Sequence, residues 1–150
     1  MIEGKYLYGN DDLSLVYDVR RQVFCDEMKI SQKDLEDTLD SFGIHVIALN
    51  AQQVIAVGRL LYDGERYTID QIAVLKECRR QKYGDFIVRM LIYRAMEAGA
   101  EKIYVDTFPE AEEFFASIGF EVTGEKFQEN EIWYLPMELK VEKLHTCCHK

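Results

Sequence analysis

Two hydrophobic periods alternate along the chain. Leu13, Val16, Tyr17, Arg20, Val23 and Phe24 recur at three- and four-residue steps, which places them on one face of a helix. Asn10, Asp11 and Asp12 come just before this run, and short polar side chains of this kind cap helix N-termini. Ile87, Met90, Leu91, Ala95 and Ala98 repeat the pattern over residues 84–98, with Gly99 placed to end the helix. Shorter helices are expected at 32–39 and 110–117, the latter followed by Gly119. Alternating or β-branched runs at 5–8, 45–49, 54–62, 67–75, 102–106, 121–127 and 132–139 predict strands. Asp63 and Gly64 form a hairpin turn dipeptide. The short connections through 45–75 predict antiparallel pairing, whereas strand 67–75, helix 84–98 and strand 102–106 make a crossover unit that implies a parallel pair. The fold class is α/β (α+β): a mixed, mostly antiparallel central sheet of six to seven strands with one parallel pair and about four flanking helices.

Composition narrows the function. The 150 residues suit one domain, and 48% hydrophobic content supplies a core without disulfide staples. A net charge of −9 argues against a nucleic-acid protein and suits a cationic partner such as an amine. No apolar run is long enough for a membrane span, and the N-terminus lacks signal-peptide order, so a cytoplasmic location is expected. Cys25, Cys78, Cys147 and Cys148 do not form a secreted framework and read as reduced thiols. Residues 1–142 read as the domain and 143–150 as a flexible tail; His145, Cys147, Cys148 and His149 are too crowded for a structural zinc site, and no metal is expected. Asp34, Asp37 and Asp40, three apart without the glycine and terminal Glu of a calcium loop, read as a solvated acidic face.

The chemistry is concentrated in residues 69–88. An apolar strand ends at Val74, Lys76, Arg79, Arg80 and Lys82 follow, and a helix opens near Gly84. A helix start offers unpaired N–H groups and partial positive charge, which suits phosphate. Ala73-Val74, then Arg79, then Gln81 to Phe86 resembles the central motif Q/R-x-x-G-x-G/A of the Gcn5-related N-acetyltransferase superfamily, with Gly84 as the retained glycine. The run from Glu113 to Phe120 resembles that superfamily's FYxxxGF signature. Arg21 to Glu27, His45 and Gly58-Arg59-Leu60 resemble a bacterial subgroup of uncharacterised members.

The resemblance implies a splayed parallel pair of strands with acetyl-CoA lying in the V between 67–75 and 102–106. Backbone groups of Ile72, Ala73 and Val74 would pair with the pantetheine arm. Arg79, Gln81, Lys82, Tyr83, Gly84, Asp85 and Phe86 would hold the pyrophosphate, largely through N–H groups. The reaction implied is direct attack of a small-molecule amine on the thioester, and dimers common in the superfamily leave a homodimer open. Removing the ammonium proton calls for a base; Asp70, beside the acyl site, is the first candidate and Asp106 the second. Phe115 stands where many members carry the proton-donating Tyr, so another group (Tyr134 or Tyr104 are the candidates), water or the free thiolate itself serves instead. Trp133 and Tyr134 are candidates for lining the amine pocket, although packing is their commoner use. His45 reads as a packing or capping residue, and Cys78 beside the basic loop as a thiol without a base. The other reading is a non-catalytic acyl-CoA-binding or regulatory domain on the same fold, which Phe115 favours.

Overall fold

The structure, a computed structural model, describes residues 2–30 and 38–142. The expected strands are all present. They are β1 (Ile2–Tyr8), β2 (Ile44–Asn50), β3 (Gln53–Tyr62), β4 (Tyr67–Val74), β5 (Lys102–Thr107) and, at the end, β8 (Ile132–Lys140). The strand expected at 121–127 is interrupted and becomes β6 (Glu121–Val122) and β7 (Phe127–Glu129). The helices are α1 (Ser14–Arg20), α2 (Tyr83–Glu97) and α3 (Glu112–Ile118), with α1 running directly into a π-helical segment, Arg21–Glu27. Most of the helix expected at 32–39 lies outside the described residues, as does the tail; Thr38–Phe42 is a 3-10 turn. No helix among the described residues is long and apolar enough to cross a membrane.

The eight-stranded sheet has the order β1-β2-β3-β4-β5-β8-β6, with β7 pairing β8 off this path. Every pairing is antiparallel except β4 with β5. That parallel pair is short, covering only Tyr67–Ile69 against Ile103–Val105. The cause lies on the other edge of β4. Arg59 faces Asp70 and Val57 faces Ala73, so Gln71 and Ile72 together oppose Gly58 alone, and Gln71 takes a left-handed φ of 55°. A bulge of this kind bends its strand and increases local twist. The bend falls just beyond the last β4–β5 partners, and from there the two strands part.

Successive residues of β3 face opposite sides of the sheet. On one side α2 sits directly on the strand at Gly58, where an added Cβ would lie 2.6 Å from Ile87 Cγ2 and 2.9 Å from Leu91 Cδ1. Ile87, Val88, Leu91 and Ala95 are fully buried there. Each such large side chain contributes about 1.5–3 kcal/mol of transfer free energy. On the other side Val16 and Val19 of α1 are buried, and so is Arg20. A polar row crosses this second side, because His45 of β2 faces Arg59 of β3, which faces Asp70 of β4.

Candidate active site

Where β4 and β5 part, a cavity of about 1520 Å³ opens. Its walls come from Thr68 and Asp70 to Val74 on β4, Val105 at the end of the parallel pair with Asp106 to Phe108 beyond it, the end of the π segment at Glu27, the start of α2, Phe114 of α3, and Glu129 and Tyr134 of the β7–β8 hairpin. This volume exceeds the few hundred to about 1,000 Å³ of an ordinary small-ligand pocket. Its two ends differ in chemistry.

One end is built from backbone. Beyond Ile69 no strand pairs with the β5 side of β4 among the described residues, so that edge faces the cavity. Leu75 N–H donates to Ile55 O at 2.9 Å, and strand alternation turns the polar groups of Val74 the opposite way, toward the cleft. There the Val74 carbonyl accepts from Arg79 Nε at 3.1 Å. The first bond inside α2 runs from Phe86 N–H to Lys82 O at 3.0 Å. Tyr83, Gly84 and Asp85 therefore start the helix with N–H groups that have no acceptor within it. Lys82, Tyr83, Gly84 and Asp85 line the cleft.

Three residues of the expected phosphate set are used differently. Arg79 lines the cleft but is clasped by the Glu27 carboxylate through both terminal nitrogens, in addition to Val74, and its hydrogen bond holds Glu27 below the usual carboxylate range. The Phe86 N–H is spent inside the helix, and its ring packs against β1 at Gly4. Gln81 is not among the residues lining the cleft. The Tyr83 side chain is buried, with its hydroxyl accepting from Asn50 Nδ2 at 3.0 Å, so this residue presents backbone to the cleft. Arg80 and Lys82 hold left-handed φ values of 65° and 69°, at positions where glycine is common in the superfamily the motif resembles. The loop keeps that conformation at a cost of roughly 1–2 kcal/mol for each such residue.

The other end is acidic. Asp70, Asp106 and Glu129 all line it. Both oxygens of Asp70 are gripped by Arg59, from Nε at 2.7 Å and Nη2 at 2.7 Å. The Asp106 side chain makes no hydrogen bond or ion pair among the described residues; the residue is exposed at the cleft, and partial desolvation there pushes its carboxyl above the ordinary 3.8. The negative charge of Glu129 pushes the same way; Arg66 opposes it and Asp70 adds to it. Tyr134 lines the cleft with its ring between Phe108 and Phe127, at centroid distances of 5.8 and 5.7 Å. Strand alternation sends the neighbouring Trp133 outward to solvent, which removes it from the amine pocket. Tyr104 leaves the list of acids as well, because it does not line the cleft and its ring lies under the Arg66 guanidinium at 4.4 Å. Phe115 is buried edge-on to Phe114 and Phe120.

Behind Asp70 lies a group of charges that sequence reasoning misread. Asp40, expected on a solvated face, is 3% exposed. It accepts from Arg20 at 3.0 and 3.1 Å and from Arg59 Nη1 at 2.9 Å. The available signal was Arg20 itself, an arginine on the apolar face of a helix, since a charge there needs a buried partner. His45 is fully buried, as a packing residue would be, and Nε2–H donates to the Asp40 carbonyl oxygen at 3.0 Å. Burial lowers its pKa below the ordinary 6.5, against the opposing hydrogen bond to Asp40. The unfolded chain therefore binds a proton near 6.5 that the folded chain still refuses. Stability is full above that value and falls as pH drops toward the lower folded value. Thermal melts across this window should show that loss, and His45→Gln should flatten it; equal slopes in the two proteins would mean that His45 is not held neutral.

The family model of the acetyltransferase (GNAT) domain matches residues 16–141. The uncharacterized protein YyaT of Bacillus subtilis is 24% identical over 135 residues, which cover 88% of this chain and 91% of that one. Among solved structures, Escherichia coli ElaA aligns with a TM-score of 0.84 at 20% identity, over 93% of this chain and 100% of that one. A GNAT family acetyltransferase from Elizabethkingia anophelis, solved with acetyl-CoA bound, gives 0.69 at 17% identity over 93% and 97% of the two chains. The structural neighbours establish the fold at these identities, and the family model runs through every element from α1 to β8. The chain belongs to the GNAT acetyltransferase family.

Proposed function

We propose that the protein is an N-acetyltransferase that moves the acetyl group of acetyl-CoA to the amine of a small cationic molecule, by direct attack in a ternary complex. The observation that carries this reading is one cleft with two unlike ends, backbone donors and Lys82 at one and Asp70, Asp106 and Glu129 at the other. The residues present fit the donor. The unpaired edge of β4 at Ile72 to Val74 can bond an extended amide-bearing arm as an added strand would. The N–H groups of Tyr83, Gly84 and Asp85 suit a pyrophosphate. The acetyl-CoA held by the Elizabethkingia relative supports the same choice. The thioester supplies an activated acyl carbon, and an acyl-CoA donor suits a cytoplasmic location.

The chain's own groups then divide the work. The geometry favours Asp106 over Asp70 as the base. Asp106, whose carboxyl is raised by partial desolvation in the cleft and held by no partner among the described residues, takes the ammonium proton. Asp70, fastened by Arg59, receives and orients the amine. Tyr134 lines the cleft on β8, beside the Thr107–Leu135 pairing that ends β5, and it donates to the departing thiolate. Its contribution is modest, because a thiol of pKa near 8.5 leaves without full protonation.

Phe115 favours a second reading, an acyl-CoA-binding domain without turnover. Calorimetric titration with CoA, run beside thiol release from acetyl-CoA over a panel of mono- and diamines, separates the two. Binding in the range of about 1 µM to 1 mM with amine-dependent release is expected. Binding with no release on any amine supports the second reading, and no binding at millimolar CoA defeats both.

A further inference from the structure

We propose that Arg59 is the positioning residue of the acceptor site: backed by the buried Asp40 carboxylate, it presents Asp70 to the cleft in one fixed orientation as the receptor for the acceptor's ammonium group. The inference rests on the reading of Asp70 given above.

Arg59 and Asp70 are direct partners across β3 and β4. The guanidinium is 1% exposed and spends all three of its nitrogens on carboxylates, with Nε and Nη2 on Asp70 at 2.7 Å and Nη1 on Asp40 at 2.9 Å. A two-point fork fixes the plane of a carboxylate as well as its distance. Asp40 is itself forked by Arg20, so a continuous run of charge-assisted bonds leads from α1 through the core to the cleft wall. Only its last member reaches the cleft, since the Asp70 side chain is 32% exposed.

Two features argue against a purely structural role. Asp70 stands one residue past the last β4 partner of β5 and one before the left-handed Gln71. The strand there has no support from β5, and the fork supplies the orientation that pairing would otherwise give. Buried ion pairs also add little stability over apolar side chains of the same size. A buried guanidinium that ends on a half-exposed carboxylate acts where a ligand can feel it. Each Asp70 oxygen keeps a lone pair outside the fork for a donor in the cleft.

The test uses the full chain, with 1,4-diaminobutane as the amine probe. Wild type, Arg59→Lys, Asp70→Asn and the double variant are compared for CoA binding, for KM of each substrate, for kcat and for melting temperature. Arg59→Lys keeps the charge but loses the fork. It should raise the amine KM about 10-fold or more while the acetyl-CoA KM stays within about twofold, and the double variant should be no worse than Asp70→Asn alone, the non-additivity of residues acting as a unit. Additive losses, or losses shared equally by both substrates, would overturn the inference. If Arg59→Lys does not fold, Asp70→Glu, which keeps the charge and moves the carboxylate by one methylene, should lose the amine in the same way; an unchanged amine KM there overturns it too. A wild type that binds CoA but neither binds nor acetylates 1,4-diaminobutane at about 10 mM, tenfold above the upper end of ordinary KM values, also overturns it. Failure to bind CoA at all instead removes the acyltransferase reading beneath it.

Discussion

Asp40→Ala should be among the most destabilising single substitutions in this chain, costing about 3–5 kcal/mol, the usual result of removing one partner from a buried ion pair. Asp40 is shared by two guanidiniums that are 0% and 1% exposed, and no water reaches them to replace it. With His45 neutral, the cluster's members among the described residues balance two positive charges, Arg20 and Arg59, against two negative ones, Asp40 and Asp70. Removing Asp40 leaves an excess positive charge in the core. A domain of this size is stable by only about 5–15 kcal/mol, so much of the total is at stake. At roughly 2–4 °C per kcal/mol, the melting temperature should fall by about 6–20 °C. A double variant, Arg20→Met with Asp40→Asn, restores the charge balance and should recover a good part of the loss. Melting of Asp40→Ala within about 2 °C of wild type would show that the cluster is not what holds α1 to the sheet.

Asp106→Asn should lower kcat for amine acetylation by about 10²–10⁴-fold, the range that a positioned base contributes. The amide keeps the size and the hydrogen-bonding shape of the side chain, so CoA binding and melting temperature should barely move. The pH profile carries the sharper test. A base works unprotonated, so kcat/KM should fall as pH drops through the folded value of Asp106. Partial desolvation in the cleft and Glu129 place that value above the ordinary 3.8, so the acid limb should lie at higher pH than a fully solvated aspartate would give. Asp106→Asn should remove this limb, and Glu129→Gln should move it toward lower pH by withdrawing a neighbouring negative charge. If the limb survives Asp106→Asn intact, the base is another group.

Much of the fold was legible in the sequence because it is local. The apolar steps through 84–98 mark α2, and the length of the unit around it dictates one parallel pair among antiparallel neighbours. The cleft was legible too, from a strand, a basic loop and a helix start in that order. Its fine division of labour was not. Arg79 looked like a phosphate ligand because it is a cation in the loop, yet Glu27, 52 residues earlier, claims it. Asp40 looked solvated because acids three apart usually are, and its two arginines lie 20 and 19 residues away in opposite directions along the chain. Asp70 reads as the first candidate base from its place beside the acyl site, although the residue across the sheet bonds both of its oxygens.

By itself, then, the sequence determined the order and type of the elements, the crossover that creates a parallel pair, and the helix start that suits an anion. These follow from propensities and periods acting over a few residues. Only the tertiary structure decided which charges meet. The bulge at Gln71 parts β4 from β5 to make the cleft, and the register of β2, β3 and β4 lines up His45, Arg59 and Asp70. The physical reason is that a charge takes its meaning from whatever lies within a few ångströms of it, and pairing across a sheet brings together residues whose separation along the chain carries no local signal.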